Sequence, residues 1–175
     1  NFGEIEAIDN ILTVLHNCKG KNEFDQWLSN KSLEEKQIGL ISFYGKQIHY
    51  INKMLKEKHS EVPMRLSTVD RFQGMERNII IVSMVRSNKL ASFQGQQPDE
   101  IYGELGYPLQ ESLGFAESPN RLNVALSRAR RLLIIVGNSE HFCRKDIYKN
   151  VFETIQQNGK IISAEELQNA VEQNG

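Results

Sequence analysis

Apolar positions along the chain fall on two periods. Ile5, Ile8, Leu12 and Leu15 recur at helical spacing and give way to Lys19-Gly20, which predicts an amphipathic helix at the start. A polar stretch runs from there to Lys36, with Phe24, Trp27 and Leu28 as its apolar residues. Ile38-Gly39-Leu40-Ile41 is a short apolar burst between polar flanks and predicts a buried strand. Tyr44, Ile48, Ile51 and Leu55 return to helical spacing, so residues 44–58 are expected to form an amphipathic helix. Beyond Pro63, Met64 to Val69 and Asn78 to Met84 read as two more strands, and Leu132 to Val136 as a fourth that runs into Gly137. Ser118 and Pro119 are a favourable N-cap and first residue for a helix between them. Ile147, Val151, Phe152 and Ile155 mark another helix. A capping box from Ser163 to Glu166 opens a last one through Leu167 and Val171. Lys160-Ile161-Ile162 between these two is expected as a short edge strand, and residues 88–114, which keep neither period, read as an insertion.

Uninterrupted apolar strands belong in a sheet covered on both faces. With helices between some of them, the expected fold is α/β: three layers around a mostly parallel sheet. Composition narrows the picture only slightly. The 175 residues suit one domain, and 39% hydrophobic with 25% charged residues is an ordinary globular balance. A net charge of −1 gives no overall positive field, which leaves nucleic-acid binding to local clusters. Cys18 and Cys143 lack CxxC spacing, and His16, His49, His59 and His141 show no ligand spacing with them, so no metal site is expected. No apolar run approaches the roughly 18 residues of a membrane span, and the start does not resemble a signal peptide. The default expectation is therefore a cytoplasmic, reducing compartment with no membrane partner, the nucleus remaining open in a eukaryote. The chain starts with Asn1 rather than Met, which suggests a piece of a longer polypeptide.

Two polar segments stand out as candidate chemistry. Asp70-Arg71-Phe72-Gln73-Gly74-Met75-Glu76-Arg77 gathers charged and amide side chains around one glycine. Ser118 to Arg131 carries Leu122, Ala125, Leu126 and Ala129 as an apolar helical arc, with Arg121 and Arg128 on another face and Arg128 free to project beyond the helix end. Ligands in such sheets collect at the carboxyl ends of the strands, where both segments are expected to lie. A guanidinium there suits a phosphate oxygen. Equally, an arginine near a helix C-terminus complements the macrodipole, a charged turn is solvated, and Gly74 supplies a positive φ. The sequence contains no GxSxG, GxGxxG or GxxxxGK[ST], so it holds neither a hydrolase elbow, nor a dinucleotide fingerprint, nor a P-loop of its own.

Taken together, the two segments and their neighbouring strands resemble the C-terminal RecA-like motor domain of superfamily 1 helicases, in the branch of the up-frameshift and Dna2-type enzymes (an AAA_12-type domain). Ile38 to Tyr44, followed by Gln47, looks like that family's "PY...Q" element, with Phe43 where proline is usual. Ser67 to Glu76 looks like motif V. Gly114-Phe115 through Pro119 and Arg121 to Arg130 look like motif VI, and Ile134 to Asn138 like the strand after it. The likeness covers Asn1 to Asn138. It implies that Arg128 is an arginine finger for the γ-phosphate of ATP, that Glu76 accepts a hydrogen bond from the ribose, and that Gln73 and Gly74 shape the coupling loop. It also implies that Ser42, Tyr44 and Thr68 lie toward a single-stranded DNA or RNA backbone, contacts that fix register without reading sequence.

The resemblance implies a partial domain spanning residues 1–175, with an insertion at 88–114 and C-terminal helices over 139–175. Its partner would be an N-terminal RecA-like domain of the same polypeptide, which would carry the P-loop and the Mg²⁺ ligands. The expected function is one half of an ATP-dependent helicase or translocase, inactive alone. Two alternatives stay open: a non-catalytic interaction module that has lost the motor, and an unrelated α/β enzyme with a deep pocket of its own.

Overall fold

A computed structural model describes residues 1–17, 37–85 and 113–174. Cys18, Phe24, Trp27, Leu28 and residues 88–112 of the expected insertion lie outside the described residues. The chain order is α1 (Phe2–Asn17), β1 (Ile38–Ser42), α2 (Gly45–Lys58), β2 (Met64–Thr68), β3 (Arg77–Ser83), α3 (Pro119–Leu126), β4 (Ala129–Val136), α4 (Ser139–Phe142), α5 (Asp146–Asn158) and α6 (Ala164–Asn174). Single 3₁₀ turns at Val69–Phe72 and Gly114–Glu117 lead toward β3 and α3. The strands form one sheet in the order β2-β1-β3-β4, every pair parallel. The three-layer α/β fold expected from the sequence is the one observed.

Side-chain alternation builds the layers. Along β3, Ile79 and Ile81 point into a core shared with Ile8 and Leu12 of α1 and with Ile51, Met54 and Leu55 of α2. Ile80 and Val82 point the other way, toward Val69 and Phe72, Leu122 and Ala125 of α3, and Tyr148 of α5. A strand buried on both faces in this manner has no polar side to alternate with, hence its continuous apolar run.

Gly39 is required for close approach. A Cβ there would lie 2.6 Å from Phe72 Cζ and 2.7 Å from Ile80 Cδ1. The wholly buried Phe72 ring thus sits directly on the β1 backbone, and it anchors the chain that descends from the end of β2 to the start of β3.

Three expectations change. Ala129 is the first residue of β4, not part of the helical arc, because α3 ends at Leu126 and Ala129 pairs with Arg77 of β3. Arg121 and Arg128 consequently share no helix face. Lys160-Ile161-Ile162 forms no strand: α6 packs against α1, and the connection leaves Ile161 and Ile162 exposed without a ladder partner among the described residues.

Candidate functional site

The candidate residues divide between the two ends of the sheet. β2 finishes at Thr68, and the Val69–Phe72 turn with its Gln73-Gly74-Met75-Glu76 extension carries the chain back to the amino end of β3. Gly74 has φ +80°, the left-handed region that favours glycine. Helix α3 makes the same descent and delivers Arg128 to the amino end of β4. There the Arg77 N–H donates to the Arg128 carbonyl at 3.0 Å, so Glu76 and Arg128, far apart in sequence, come from adjoining strand entrances. The expectation that these residues sit at the carboxyl ends is therefore corrected. Both segments begin at that end, but Glu76 and Arg128 lie at the opposite one, because a parallel neighbour can be reached only after the chain has crossed the sheet.

The charged groups at this amino edge bond locally. Arg128 Nε donates to the Val124 carbonyl at 3.1 Å, and its Nη2 donates to Ser127 Oγ at 2.7 Å. The guanidinium folds back over the last turn of α3 instead of projecting, where it complements the helix C-terminus. Glu76 Oε2 accepts from Arg130 Nε at 3.0 Å. Gln73, Gly74, Glu76, Arg130 and Arg131 are exposed, and Arg128 is half-buried. The described residues of this edge are mostly exposed, and most of its charged groups are cationic. The groove between α1, α2 and α6, lined by Phe2, Asp9, Met54 and Gln168, lies on other elements.

At the carboxyl ends, Ser42 is completely buried, and its Oγ accepts the Tyr44 N–H at 3.4 Å. This bond ties Ser42 to Tyr44, the residue before α2. Thr68 is half-buried at the end of β2. Tyr44 Oη donates to the Leu113 carbonyl and accepts from the Phe115 N–H, both at 3.3 Å. Asp70, just beyond Thr68, takes a two-pronged bond from Arg121, with Nε to Oδ1 at 2.8 Å and Nη2 to Oδ2 at 3.2 Å.

Beneath this surface lies a buried network that sequence reasoning missed. Glu4 accepts from Ser83 Oγ at 2.6 Å and from the Val85 N–H at 2.8 and 2.9 Å. Gln47 Nε2 donates to Ser83 Oγ at 3.3 Å and to the Asn1 carbonyl at 3.2 Å. Val85 has φ +75°, an uncommon conformation for a β-branched residue, and the fork of Glu4 oxygens on its N–H holds it there. Burial pushes the Glu4 carboxyl above its ordinary range, against the hydrogen bonds from Ser83 and Val85. The signal was present in the sequence: Glu4 stands four residues before Ile8 and eight before Leu12, an acid on the apolar stripe of α1. Among the described residues, no group of three or more His, Cys, Asp or Glu is placed to hold a metal ion.

Residues 1–140 match the AAA domain family. The chain is 32% identical over 136 residues to the DNA polymerase alpha-associated DNA helicase A of Saccharomyces cerevisiae, covering 77% of this chain and 17% of that protein. It is 27% identical over 169 residues to the ATP-dependent helicase NAM7 of the same yeast, covering 93% of this chain and 15% of that one. A Regulator of nonsense transcripts 1 homolog of Drosophila melanogaster is 32% identical over 124 residues, 68% of this chain and 9% of the relative. The chain thus spans less than a fifth of the length of each of these relatives. With its all-parallel sheet flanked by helices and a family match over most of its length, the chain belongs to the AAA domain family of superfamily 1 helicases, as a RecA-like helicase domain of the up-frameshift type.

Proposed function

We propose that this chain is the second half of an ATP-dependent DNA or RNA motor, a helicase or translocase whose first RecA-like lobe lies elsewhere in the same polypeptide. The observation that carries the reading is the meeting of Glu76 and Arg128 at one open edge, brought there by two separate crossings of the sheet and joined by the bond from Arg77 to Arg128. In this reading the partner lobe's P-loop cradles ATP and its carboxylates hold Mg²⁺. This domain closes on the nucleotide from the other side.

Arg128 then leaves the Val124 carbonyl and Ser127 hydroxyl and turns its guanidinium onto the γ-phosphate oxygens, where negative charge grows in the transition state. Such fingers contribute about 10³ to 10⁵ in rate. Glu76 exchanges Arg130 for a ribose hydroxyl. Gln73 and Gly74 shape the loop that links this event to the far end of β2, where Thr68, with Tyr44 beyond the end of neighbouring β1, faces the single strand. Ser42 sets Tyr44 from beneath. Closure with ATP and opening after hydrolysis become steps along the strand.

The test is nucleic-acid-stimulated ATP hydrolysis by the full-length polypeptide, with residues 1–175 alone as control. The expected result is stimulated turnover in the long chain and none in the short one. Turnover by neither would favour the second reading, an interaction module that has kept the fold and lost the motor. Turnover by residues 1–175 alone would overturn both.

A further inference from the structure

We propose that Phe115 is a base-stacking platform, its ring held out at the carboxyl ends of the strands by Tyr44 and Arg121 so that a nucleobase of the bound strand lies against it; the proposal rests on the nucleic-acid half of the reading above. The exposure of this ring follows from its turn. In Gly114–Glu117 and the residue before it, Leu113 and Ala116 are buried at 0% and 1% exposure, and Phe115 between them is 54% exposed. A three-residue period that sends 113 and 116 inward sends 115 outward.

The ring is nevertheless fixed. Tyr44 Oη bridges the Leu113 carbonyl and the Phe115 N–H, and the two rings lie 5.5 Å apart, tilted by 48°. The Arg121 guanidinium lies over one face of the Phe115 ring, 4.9 Å from its centroid, and is itself clamped by both oxygens of Asp70, so a base takes the opposite face. Underneath, Tyr148 Oη donates to the Ala116 carbonyl at 2.6 Å, tying the turn to α5. A platform held on several sides loses little freedom when a ligand arrives, and that lowers the cost of binding.

The surroundings favour a base over a protein partner. A protein interface needs a contiguous apolar centre, whereas among the described residues Phe115 is bordered by Tyr44 and by the Arg121–Asp70 pair. Stacking also answers a difficulty raised by charge. At net charge −1, residues 1–175 have no overall positive field, so a contact that does not depend on salt adds to what local basic clusters gain from counterion release. Every base has a π-face, so a stacking contact tolerates any sequence, as a translocating motor requires.

The experiment measures binding of the full-length protein to single-stranded DNA and RNA oligonucleotides containing the fluorescent base 2-aminopurine, whose emission falls on stacking. Phe115→Ala is expected to weaken binding by on the order of tenfold, to abolish the quenching, and to leave the slope of log affinity against log salt unchanged. Phe115→Trp is expected to keep both affinity and quenching. Phe115→Leu, apolar and of similar bulk, is expected to fold normally and still lose the quenching, which separates stacking from support of the turn. Wild-type affinity and quenching in Phe115→Leu would overturn the platform while leaving the nucleic-acid reading intact. No binding of either oligonucleotide by the unsubstituted protein would overturn both.

Discussion

At the amino ends of β3 and β4, Glu76, Arg128 and Arg130 are exposed or half-buried and bond to near neighbours on the surface. At the carboxyl ends of β1 and β3, Glu4, Gln47, Ser42 and Ser83 are buried, and the bonds of Glu4, Gln47 and Ser83 join α1, α2 and β3. The difference is one of cost. An exposed ion pair contributes about 0–1 kcal/mol, so its members can be redirected onto a ligand with little loss. Leaving a buried polar group without its partner costs about 1–3 kcal/mol, so the inner network holds its geometry. One end is free to exchange partners, and the other keeps a surface in shape.

The most severe test of this division is a change at Arg128. In the full-length protein, Arg128→Ala is expected to lower nucleic-acid-stimulated ATP turnover by about 10³-fold or more, while oligonucleotide affinity and the unfolding midpoint stay close to their original values. Steady-state kinetics beside an anisotropy titration would show it. Equal losses in turnover and in oligonucleotide affinity would mean that the two ends do not act separately.

Next in size is the link between the ends. Phe72 sits wholly buried in the segment that runs from Thr68 down to Glu76. Phe72→Ala is expected to cost about 3–5 kcal/mol in urea denaturation, the range for emptying such a site. Gly39→Ala attacks the same contact from the β1 side and is expected to cost about 1–3 kcal/mol, since a Cβ cannot fit 2.6 Å from the ring. The two positions touch, so their effects should not add. In the Gly39→Ala background, Phe72→Leu should cost less than it does alone, and strict additivity would show that the ring does not set the descent.

Glu4 offers a smaller and pH-dependent effect. Its carboxyl is held above the ordinary glutamate value of 4.5, mainly by burial. The folded state therefore retains a proton that the unfolded chain gives up. The resulting stability is fully present below about the ordinary value, and it is lost as pH rises through the raised one. The gap in midpoint between Glu4→Gln and the original protein should shift in favour of the variant across that rise. A gap independent of pH would mean that the buried carboxyl does not titrate with folding.

Much of this molecule was legible in sequence because its strands are buried on both faces. Apolar runs such as Ile79 to Val82 leave few readings other than a central strand, and the helical stripes of α1 and α2 are equally plain. The errors arose where a long-range partner decided the outcome. Ala129 fits a helical arc by spacing, but pairing with Arg77 draws it into β4. Ile161 and Ile162 have the composition of a strand and find no edge to join among the described residues. The candidates Glu76 and Arg128 were visible within two polar segments, but their delivery to the amino ends of β3 and β4 was not, because it depends on the crossings made by the Val69–Phe72 turn and by α3. Glu4 was visible only as an acid out of place.

The mildest change tests the cheapest contact. Glu76 and Arg130 form a pair whose side chains are 48% and 63% exposed. Arg130→Ala should therefore barely move the unfolding midpoint, in keeping with a contribution of about 0–1 kcal/mol. Its effect on nucleotide binding should be larger in proportion. If Glu76 has to leave Arg130 before it can accept a ribose hydroxyl, removing the arginine ends that competition. Affinity of the full-length protein for ATP should then rise by up to about fivefold, the equivalent of about 1 kcal/mol. The gain should shrink as salt is added, because screening already weakens the pair in the original protein. A loss of affinity would instead assign Arg130 a contact of its own with the nucleotide, and an unchanged affinity at low salt would mean that Glu76 does not exchange partners at all.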